Sequence, residues 1–256
     1  MSRNPKLSVV IPFFNEEACL ESVCLEVKEI LAALLHDDDW QLIMVDDGSK
    51  DRTPEMIDRL AGQHPGFCAL HLRPNSGQSA ALEAGFAAAR GELIATLDGD
   101  GQNDPKDLAL LLAEMGRLQV DMMCGIRKTR ADSWVRRISS RLANRVRAAL
   151  LHDNITDVGC SIRVFRRHCL GRIHFFRNAH RFFPALFQMA GFTVAEMPVN
   201  HRPRFKGTSK YGGGIQSRLW VGLADLAGVY WLRKRALRYQ VITQIAGNEE
   251  NRDEQP

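Results

Sequence analysis

The stretch ELIATLDGDGQNDPKDLALLLAEMGRL, residues 92–118, contains the unit that decides the fold. Its first six residues are an apolar run of the length of a buried strand, and residues 104–118 place apolar side chains at helical spacing. Between the two lies a short loop rich in aspartate and glycine. A strand, a polar loop and a helix in this order are typical of one unit of a parallel sheet.

The same unit recurs through the first half of the chain. Strand-like runs occupy residues 7–14, 41–47, 67–72, 92–97 and 120–125. Helical patterns occupy residues 17–35, 53–63, 79–90 and 104–118. This alternation predicts an α/β fold with a mostly parallel sheet and helices on both faces.

The second half of the chain is less regular. We predict a basic helix over 131–151, a strand over 161–166, a helix over 178–190 and a strand over 192–199. Residues 213–234 have the pattern of one or two amphipathic helices, and the residues that follow 247 are polar. We expect one main domain over 1–211, amphipathic helices over 212–240 and a disordered tail over 241–256.

The composition is that of an ordinary globular protein, with 45% hydrophobic and 25% charged residues. The six cysteines form no CxxC pair, which favours a reduced, cytoplasmic protein. Asn15 and Glu16 interrupt the N-terminal apolar run too early for a signal peptide. The apolar runs at 182–195 and 219–232 are too short to span a membrane, so we expect no transmembrane helix.

The charges are divided unevenly between the two halves. Residues 1–125 contain 10 Lys and Arg against 21 Asp and Glu, whereas residues 126–256 contain 24 against 9. This asymmetry predicts a first half that handles a cation and a second half that meets an anionic partner such as phosphates, lipid headgroups or nucleic acid.

Polar side chains follow the ends of three predicted strands, at Asn15–Glu16, Asp46–Asp47 and Asp98–Asp100. Because the carboxyl ends of parallel strands meet at one edge of a sheet, we expect these clusters to converge there on a ligand. Each cluster also has a plainer interpretation. Asn15 could cap a helix, and the Asp-Gly-Ser sequence at residues 47–49 is common in turns.

The loop after the fourth predicted strand has the ligands of a hard cation. Asp104 precedes Pro105 and is most simply the cap of the next helix. Asp98, Asp100 and Gln102 remain, and their oxygen ligands favour Mg²⁺ or Mn²⁺ bound together with substrate phosphates. The spacing of an EF-hand calcium site is absent.

Seven motifs in order carry a resemblance to a known family. They are PFFNEE, VDDGSKDRT, RPNSGQSAALEAG, DGDGQNDP, GIR, TDVGCSIRVFRR and HRPRFKGTSKYG, and the match to the family runs from about residue 7 to 211. The chain resembles the family-2 glycosyltransferases of the Rossmann-like GT-A fold. More narrowly, it resembles the polyprenyl-phosphate sugar transferases, the kind that includes dolichyl-phosphate mannose synthase.

The resemblance implies a nucleotide-sugar donor, a polyprenyl phosphate acceptor and a divalent metal, Mg²⁺ or Mn²⁺. Asp98, Asp100 and Gln102 would bind the metal, with Asp100 and Arg127 as the catalytic residues and Arg127 in contact with phosphate. The donor pocket would be lined by Pro12, Phe14, Asn15, Glu16, Val45, Asp46, Asp47, Asp98 and Gly99.

The resemblance assigns further cations in the second half. Arg204 and Lys210 would lie on a loop that closes over the donor, and Arg137, Ser161 and Arg163 would meet the acceptor phosphate. Phe14 replaces a more common tyrosine, and CSIR stands where many relatives have SGFR, which bears on acceptor binding.

Three functions therefore compete. The first is an inverting transferase that moves a sugar from GDP-mannose or a UDP-sugar to a polyprenyl phosphate at the cytoplasmic face of the membrane. The second is the same fold with a saccharide or another lipid as acceptor. The third is a non-catalytic adaptor for headgroups or nucleic acid, which would not need the carboxylate cluster, and we therefore predict no nucleic-acid partner.

The segment 215–235 could attach the chain to a membrane surface. Its tryptophans Trp220 and Trp231 lie on a predicted helix that ends in Arg233, Lys234 and Arg235. Such a helix either packs on the core or lies in the membrane interface with its cations on anionic lipid. We expect peripheral attachment to an anionic membrane surface, with recruitment by a membrane protein as the alternative.

Overall fold

We describe a computed structural model over residues 4–127, 146–151, 153, 155–203 and 215–236, without the side chains of 215–219. The strands are β1 (Leu7–Phe13), β2 (Trp40–Asp46), β3 (Phe67–His71), β4 (Leu93–Thr96), β5 (Met122–Arg127), β6 (Arg163–Arg166) and β7 (Val194–Val199). The α-helices are α1 (Leu20–Leu34), α2 (Thr53–Gln63), α3 (Gln78–Ala88), α4 (Asp107–Leu118), α5 (Phe183–Met189) and α6 (Ile215–Arg235).

The strands form one seven-stranded sheet in the order β3-β2-β1-β4-β6-β5-β7. All neighbouring pairs are parallel except those of β6, which runs antiparallel to both β4 and β5. The predicted α/β fold with a mostly parallel sheet is confirmed. The order places β1 between β2 and β4, so the loops that follow these three strands are neighbours.

Helices cover both faces of the sheet, as predicted. Alternate residues of β1 point to opposite faces because side chains alternate along a strand. Val9 and Ile11 pack with α1, α2 and α4 in one apolar cluster. Val10 packs with α3, α5 and α6 in the other cluster. The two clusters make β1 and β2 the most deeply buried strands of the fold.

Helix α3 lies unusually close to the sheet. A Cβ atom added at Gly85 would collide with the Val10 side chain and would sit 3.2 Å from Cγ2 of Val45. The glycine therefore permits the close approach, as its small-residue pattern indicates. The close packing fixes the N-terminus of α3 at the carboxyl edge of the sheet.

Several predicted boundaries differ from the observed ones. Asp104 does not cap α4: the helix begins three residues later at Asp107, with Lys106 at the cap position. Residues 178–190 form two elements, the short 3-10 turn Ala179–Arg181 and then α5. The loop before α4 is longer than predicted because the Asp104 carboxylate accepts hydrogen bonds from Arg202 and from the Lys106 amide. Of the predicted basic helix, residues 146–151 are helical, and 131–145 lie outside the described residues.

Helix α6 packs on the sheet through one narrow side. Leu226 and Val229 are buried in the core, while Trp220 is 70% exposed and Trp231 is 56% exposed. Within the described part of the chain, no helix combines the length and apolarity that crossing a bilayer requires.

Candidate active site

A cavity of about 290 Å³ opens at the carboxyl edge of β1, β2 and β4. Its lining residues come from the loops after these strands and from the segment that leads into α3. They are Pro12, Phe13, Phe14, Glu16, Asp47, Asn75, Gly77, Gln78, Asp98, Gly99 and Asp100. The structure therefore brings the three predicted polar clusters together at one edge of the sheet, and we call this space the acidic cavity.

Asp47 organises one wall of the acidic cavity. Its carboxylate accepts hydrogen bonds from the Asn75 side chain at 2.9 Å and from the backbone amides of Ser76 at 2.8 Å and Gly77 at 2.9 Å. Burial raises the pKa of Asp47, and these hydrogen bonds act in the opposite direction. The contacts hold residues 75–77 against the end of β2, so that this segment lines the cavity.

Two predicted donor-binding residues on β2 do not line the acidic cavity. Val45 is completely buried in the apolar cluster beneath α3. Asp46 is also completely buried: one of its oxygens accepts the Ser49 amide at 2.8 Å, and the other lies 3.3 Å from Nδ1 of His71. Packing beneath α3 buries Val45, and hydrogen bonds with Ser49 and His71 hold the Asp46 carboxylate away from the cavity.

Asn15 joins the loop after β1 to the loop after β2. Its φ of 52° is left-handed, its amide donates to Oγ of Ser49 at 2.8 Å, and its side-chain oxygen accepts the Lys50 amide at 2.7 Å. Asn15 is therefore neither a helix cap nor a cavity-lining residue, since α1 begins only at Leu20. Its hydrogen bonds instead hold the loop that carries Phe14 and Glu16 into the cavity.

The acidic loop after β4 places two of the three predicted metal ligands in the cavity. Asp98 and Asp100 both line it, and Gly99 between them lies so close to Phe13 that no larger side chain would fit. Gln102 does not line it, because its side-chain amide lies 3.4 Å from Nε2 of His201 and 3.4 Å from the Arg202 carbonyl. This loop is also held by Asn103, whose side chain accepts the Asp98 amide at 2.8 Å.

The electrostatics of this carboxylate pair suit a divalent cation. Burial and the neighbouring charge of Asp100 raise the pKa of Asp98 to about 6. The ionised form of Asp98 is thus disfavoured for lack of a positive charge, which a bound cation would supply. Two carboxylates beside space for phosphate oxygens form the type of donor set that Mg²⁺ or Mn²⁺ binds. The residues present therefore fit the predicted metal.

A second cavity of about 230 Å³ lies beside the acidic cavity, and Asp98 and Gln78 line both. Its other lining residues are Leu82, Thr96, Leu97, Val158, Gly159, Cys160, Ser161, Arg163, His180 and Arg181. Ser161 and Arg163 thus line this cavity, and their contact with the acceptor phosphate stays a prediction. However, both terminal nitrogens of Arg163 donate to backbone carbonyls, those of His180 at 2.8 Å and Val158 at 3.0 Å.

Arg127 lines neither of the two cavities. Its Nε and one terminal nitrogen each donate to the Asp157 carboxylate at 2.8 Å. The Asp157 side chain is 5% exposed, so the pair satisfies a buried charge. The phosphate contact stays a prediction for Arg127. Arg137, Arg204 and Lys210 lie outside the described residues.

Sequence reasoning missed Gln78, and it considered Asn75 and Gly77 chiefly as the lead into a tightly packed helix. All three line the acidic cavity. The motif RPNSGQ contained the signal, because polar residues beside a glycine at the start of a helix can approach a ligand closely. The sequence offered His180, beside Arg181, as a substrate contact or a structural histidine, and it gave no sign of Ser79, because neither residue forms a recognisable spacing with other site residues.

The seven-stranded sheet and its flanking helices define a GT-A architecture, and comparisons with known proteins agree. The sequence profile of Glycosyl transferase family 2 matches residues 8–173. The chain therefore belongs to Glycosyl transferase family 2.

Two similar proteins each have a polyprenyl phosphate in their names. The chain is 38% identical over 239 residues to "Dodecaprenyl-phosphate galacturonate synthase" of Rhizobium johnstonii, with 90% of this chain and 68% of that protein covered. It is 35% identical over 207 residues to "Undecaprenyl-phosphate 4-deoxy-4-formamido-L-arabinose transferase" of Aeromonas hydrophila, with 80% and 63% covered. The chain thus spans about two thirds of the length of these relatives.

Solved structures share the fold at low sequence identity. Glucosyl-3-phosphoglycerate synthase of Mycobacterium tuberculosis, solved with Mn²⁺, UDP and phosphoglyceric acid, has a TM-score of 0.63 at 18% identity, covering 90% of this chain and 78% of that chain. A mannosyltransferase of Pyrobaculum calidifontis, solved with GDP-Man and Mn²⁺, has a TM-score of 0.62 at 18% identity, covering 93% and 66%. At this identity the likeness shows the fold alone.

Proposed function

We propose that this chain transfers a sugar from a nucleotide-diphosphate sugar to a polyprenyl phosphate. The observation that carries the proposal is the acidic cavity, in which carboxylates from three strand ends surround one space. The names of the two relatives, each with a polyprenyl phosphate in it, support this acceptor over a saccharide or another lipid. An adaptor without catalysis would have no use for the half-buried pair Asp98 and Asp100.

The donor would lie along the carboxyl edge of the sheet. The nucleoside would occupy the wall formed by Pro12, Phe14 and Asp47, and its diphosphate would approach Asp98 and Asp100. These two carboxylates would hold Mg²⁺ or Mn²⁺, and the Mn²⁺ in the two solved neighbours supports this metal class. When bound, the cation neutralises the charge that develops on the departing diphosphate.

The acceptor chemistry places few demands on the protein. A phosphate monoester oxygen is already ionised at pH 7, so it attacks the anomeric carbon without a general base. A single in-line displacement would invert that carbon. The chain must therefore orient the two substrates, shield their charges and exclude water. The arginine-rich second half, which includes Arg137, Arg204 and Lys210, is suited to this shielding.

A polyprenyl phosphate remains in the bilayer, so the enzyme must reach it there. We propose that α6 is an interfacial helix that attaches the catalytic domain, residues 1–211, to the cytoplasmic face of the membrane. The proposed amphipathic segment is 212–240, and 241–256 would be a polar tail. Trp220 and Trp231 are largely exposed, and the guanidinium of Arg235 lies 5.0 Å from the ring centroid of Trp231. Exposed tryptophans beside cations are typical of helices at anionic membrane surfaces.

A panel of labelled nucleotide-sugars tests the function. GDP-mannose, UDP-glucose and UDP-galacturonate are each incubated with the full chain, Mn²⁺ and a short polyprenyl phosphate, and the label is followed into the organic phase. We expect one donor to transfer label only when both Mn²⁺ and the polyprenyl phosphate are present. Label that moves instead to added saccharide would identify the other acceptor class. Absence of transfer from every donor, by protein that binds Mn²⁺, would contradict the proposal.

A further inference from the structure

His180 is held in place through almost all of its polar atoms. Its backbone amide donates to Oγ of Ser79 at 3.2 Å, and its Nδ1 lies 2.7 Å from the same oxygen. Its backbone carbonyl accepts a hydrogen bond from Arg163 at 2.8 Å. The one remaining polar atom is Nε2, on a ring that lines the second cavity.

These contacts define what His180 can offer to a ligand. Oγ of Ser79 accepts the amide hydrogen, and we assign its hydroxyl hydrogen to Nδ1, so that Nε2 carries the ring proton. Burial, followed by the charges of Arg163 and Arg181, lowers the pKa of His180 to about 3. At pH 7 His180 is therefore an uncharged N–H donor in a fixed orientation.

The second cavity lies beside the acidic cavity. Gln78 donates its side-chain amide to Asp98 at 2.8 Å, and these two residues line both cavities. In a ligand whose diphosphate lies at Asp98 and Asp100, the group next to the diphosphate would therefore lie beside the second cavity. The volume of about 230 Å³ is below that of a site for a drug-sized molecule and suits a single ring.

We propose that the second cavity holds the transferred sugar of the donor, and that His180 selects the sugar by donating a hydrogen bond from Nε2 to one of its oxygens. Ser79 is the positioning residue that fixes the imidazole. The inference rests on the proposed function for the class of donor. It adds the location of the sugar and a residue that discriminates among sugars.

The chemistry of the cavity favours a sugar over the acceptor phosphate. Each terminal nitrogen of Arg163 donates one hydrogen bond to a backbone carbonyl, which orients the guanidinium towards the protein backbone. The hydrogen-bonding groups that remain include the neutral His180 and the Gln78 amide, which match hydroxyl groups. Arg163 acts here by holding the His180 backbone.

The test separates binding of the nucleotide from binding of the sugar. Dissociation constants are measured calorimetrically in Mn²⁺ for UDP, GDP, UDP-glucose, UDP-galacturonate and GDP-mannose, with wild type and His180→Ala. For the nucleotide-sugar that wild type binds best, we expect His180→Ala to weaken binding at least roughly fivefold, the loss of one hydrogen bond. Binding of the matching nucleotide should change less than about twofold.

Three further variants complete the design. His180→Gln keeps an N–H donor and should recover part of the lost affinity, and Ser79→Ala should weaken sugar binding to a smaller extent. His168→Ala, an exposed histidine just after β6 at the opposite edge of the sheet, should have no effect. Thermal unfolding of each variant checks the fold. If His180→Ala does not fold, the two single variants Ser79→Ala and His180→Gln test the inference in its place.

Two results would overturn the inference. One is an equal loss of nucleotide and nucleotide-sugar affinity. The other is unchanged donor affinity with a raised KM for the polyprenyl phosphate, which would assign the cavity to the acceptor. Because the calorimetric dissociation constants need no turnover, that part of the test stands apart from the proposed function. If wild type transfers no sugar to polyprenyl phosphate but His180→Ala still loses sugar affinity selectively, the acceptor is wrong and the sugar site is right.

Discussion

Gln78 and Asp98 join α3 to the acidic loop after β4 through a hydrogen bond of 2.8 Å. The two residues are 20 positions apart in the sequence, and each of them lines both cavities. One carboxylate oxygen of Asp98 thus accepts a hydrogen bond from the Gln78 amide. Asp98 therefore lies at the boundary between the proposed metal and sugar sites. The protonation of Asp98 should therefore report on metal binding.

The first prediction concerns pH in the absence of metal. The pKa of Asp98 is raised from 3.8 to about 6, so between these values the folded chain binds a proton that the unfolded chain releases. Its contribution to stability is therefore present at low pH, falls as pH rises through this window and stays low above about 6. We expect the difference in Tm between metal-free wild type and Asp98→Asn to shift against wild type as the pH rises from 4.5 to 6.5.

Saturating Mn²⁺ should remove this effect at pH 7.5. It should raise the Tm of wild type and have much less effect on Asp98→Asn, because the cation stabilises the ionised carboxylate. Differential scanning fluorimetry measures the pH dependence of the Tm in buffer that contains a chelator and the change in Tm on addition of Mn²⁺. An identical pH dependence in the two proteins would show that Asp98 titrates normally.

The second prediction concerns turnover. Asp100→Asn removes a metal-facing charge from a half-buried loop position while keeping the size of the side chain. We expect a loss of kcat of roughly 100-fold or more at ordinary Mg²⁺ or Mn²⁺ concentrations, with an unchanged Tm. Asp38→Asn, at an exposed aspartate before β2, is the matched control. Near-normal turnover by Asp100→Asn would rule out the metal assignment.

The third prediction separates structural from catalytic effects of Arg127. Arg127→Ala leaves the Asp157 carboxylate buried without its guanidinium partner, which should cost about 3 kcal/mol of unfolding free energy. The double variant with Asp157→Ala should regain part of that stability because no isolated charge remains. Urea unfolding of the four proteins measures the coupling.

Kinetics then test the predicted phosphate contact of Arg127. If that contact exists, kcat/KM of the folded fraction should fall at least roughly tenfold, the loss of a charge-assisted contact of about 1.5–3 kcal/mol. If the losses of unfolding free energy in the two single variants add up to the loss in the double variant, the structural role of the Arg127–Asp157 pair is contradicted. An unchanged kcat/KM would contradict the phosphate contact.

The fourth prediction concerns the packing of α3. Gly85→Ala should destabilise the fold by about 1–3 kcal/mol, because the added methyl collides with Val10 beneath the helix. Gly62→Ala is the matched control on α2, where an added Cβ meets no atom within 4 Å. It should be neutral or stabilise by up to about 1 kcal/mol, since alanine favours helix. Equal effects at the two glycines in chemical denaturation would contradict the close packing.

The fifth prediction concerns the membrane. Wild type should sediment with liposomes that contain anionic lipid, less so at high salt, and not with neutral liposomes. The triple variant Trp220→Ser, Trp231→Ser and Arg235→Ser should lose this binding, since all three side chains are exposed on α6. The control triple variant, Leu34→Ser, Leu110→Ser and Leu118→Ser, replaces exposed side chains on α1 and α4. It should bind to liposomes as wild type does.

The outcome that contradicts this prediction is equal sedimentation with both lipid types, or with neither. It would leave recruitment by a membrane protein as the alternative.

The succession of strands and helices along the first half of the chain could be predicted from the sequence, because apolar periodicity reports which side chains must be buried. Each strand in the first half was found within about two residues of its predicted position. The convergence of Glu16, Asp47, Asp98 and Asp100 also followed, since parallel strands align their carboxyl ends at one edge. Local patterns carry this information because burial and strand direction are properties of short segments.

Only the tertiary structure decided what each polar side chain faces. Asp46 and Asp47 are adjacent and chemically identical, yet one is completely buried beside His71 and the other lines the cavity. The antiparallel course of β6 and the meeting of Ser79 with His180, 101 positions away, likewise depend on long-range packing. Hydrogen-bond partners distant in sequence leave no periodic trace along the chain, and so their roles appear only when the chain has folded.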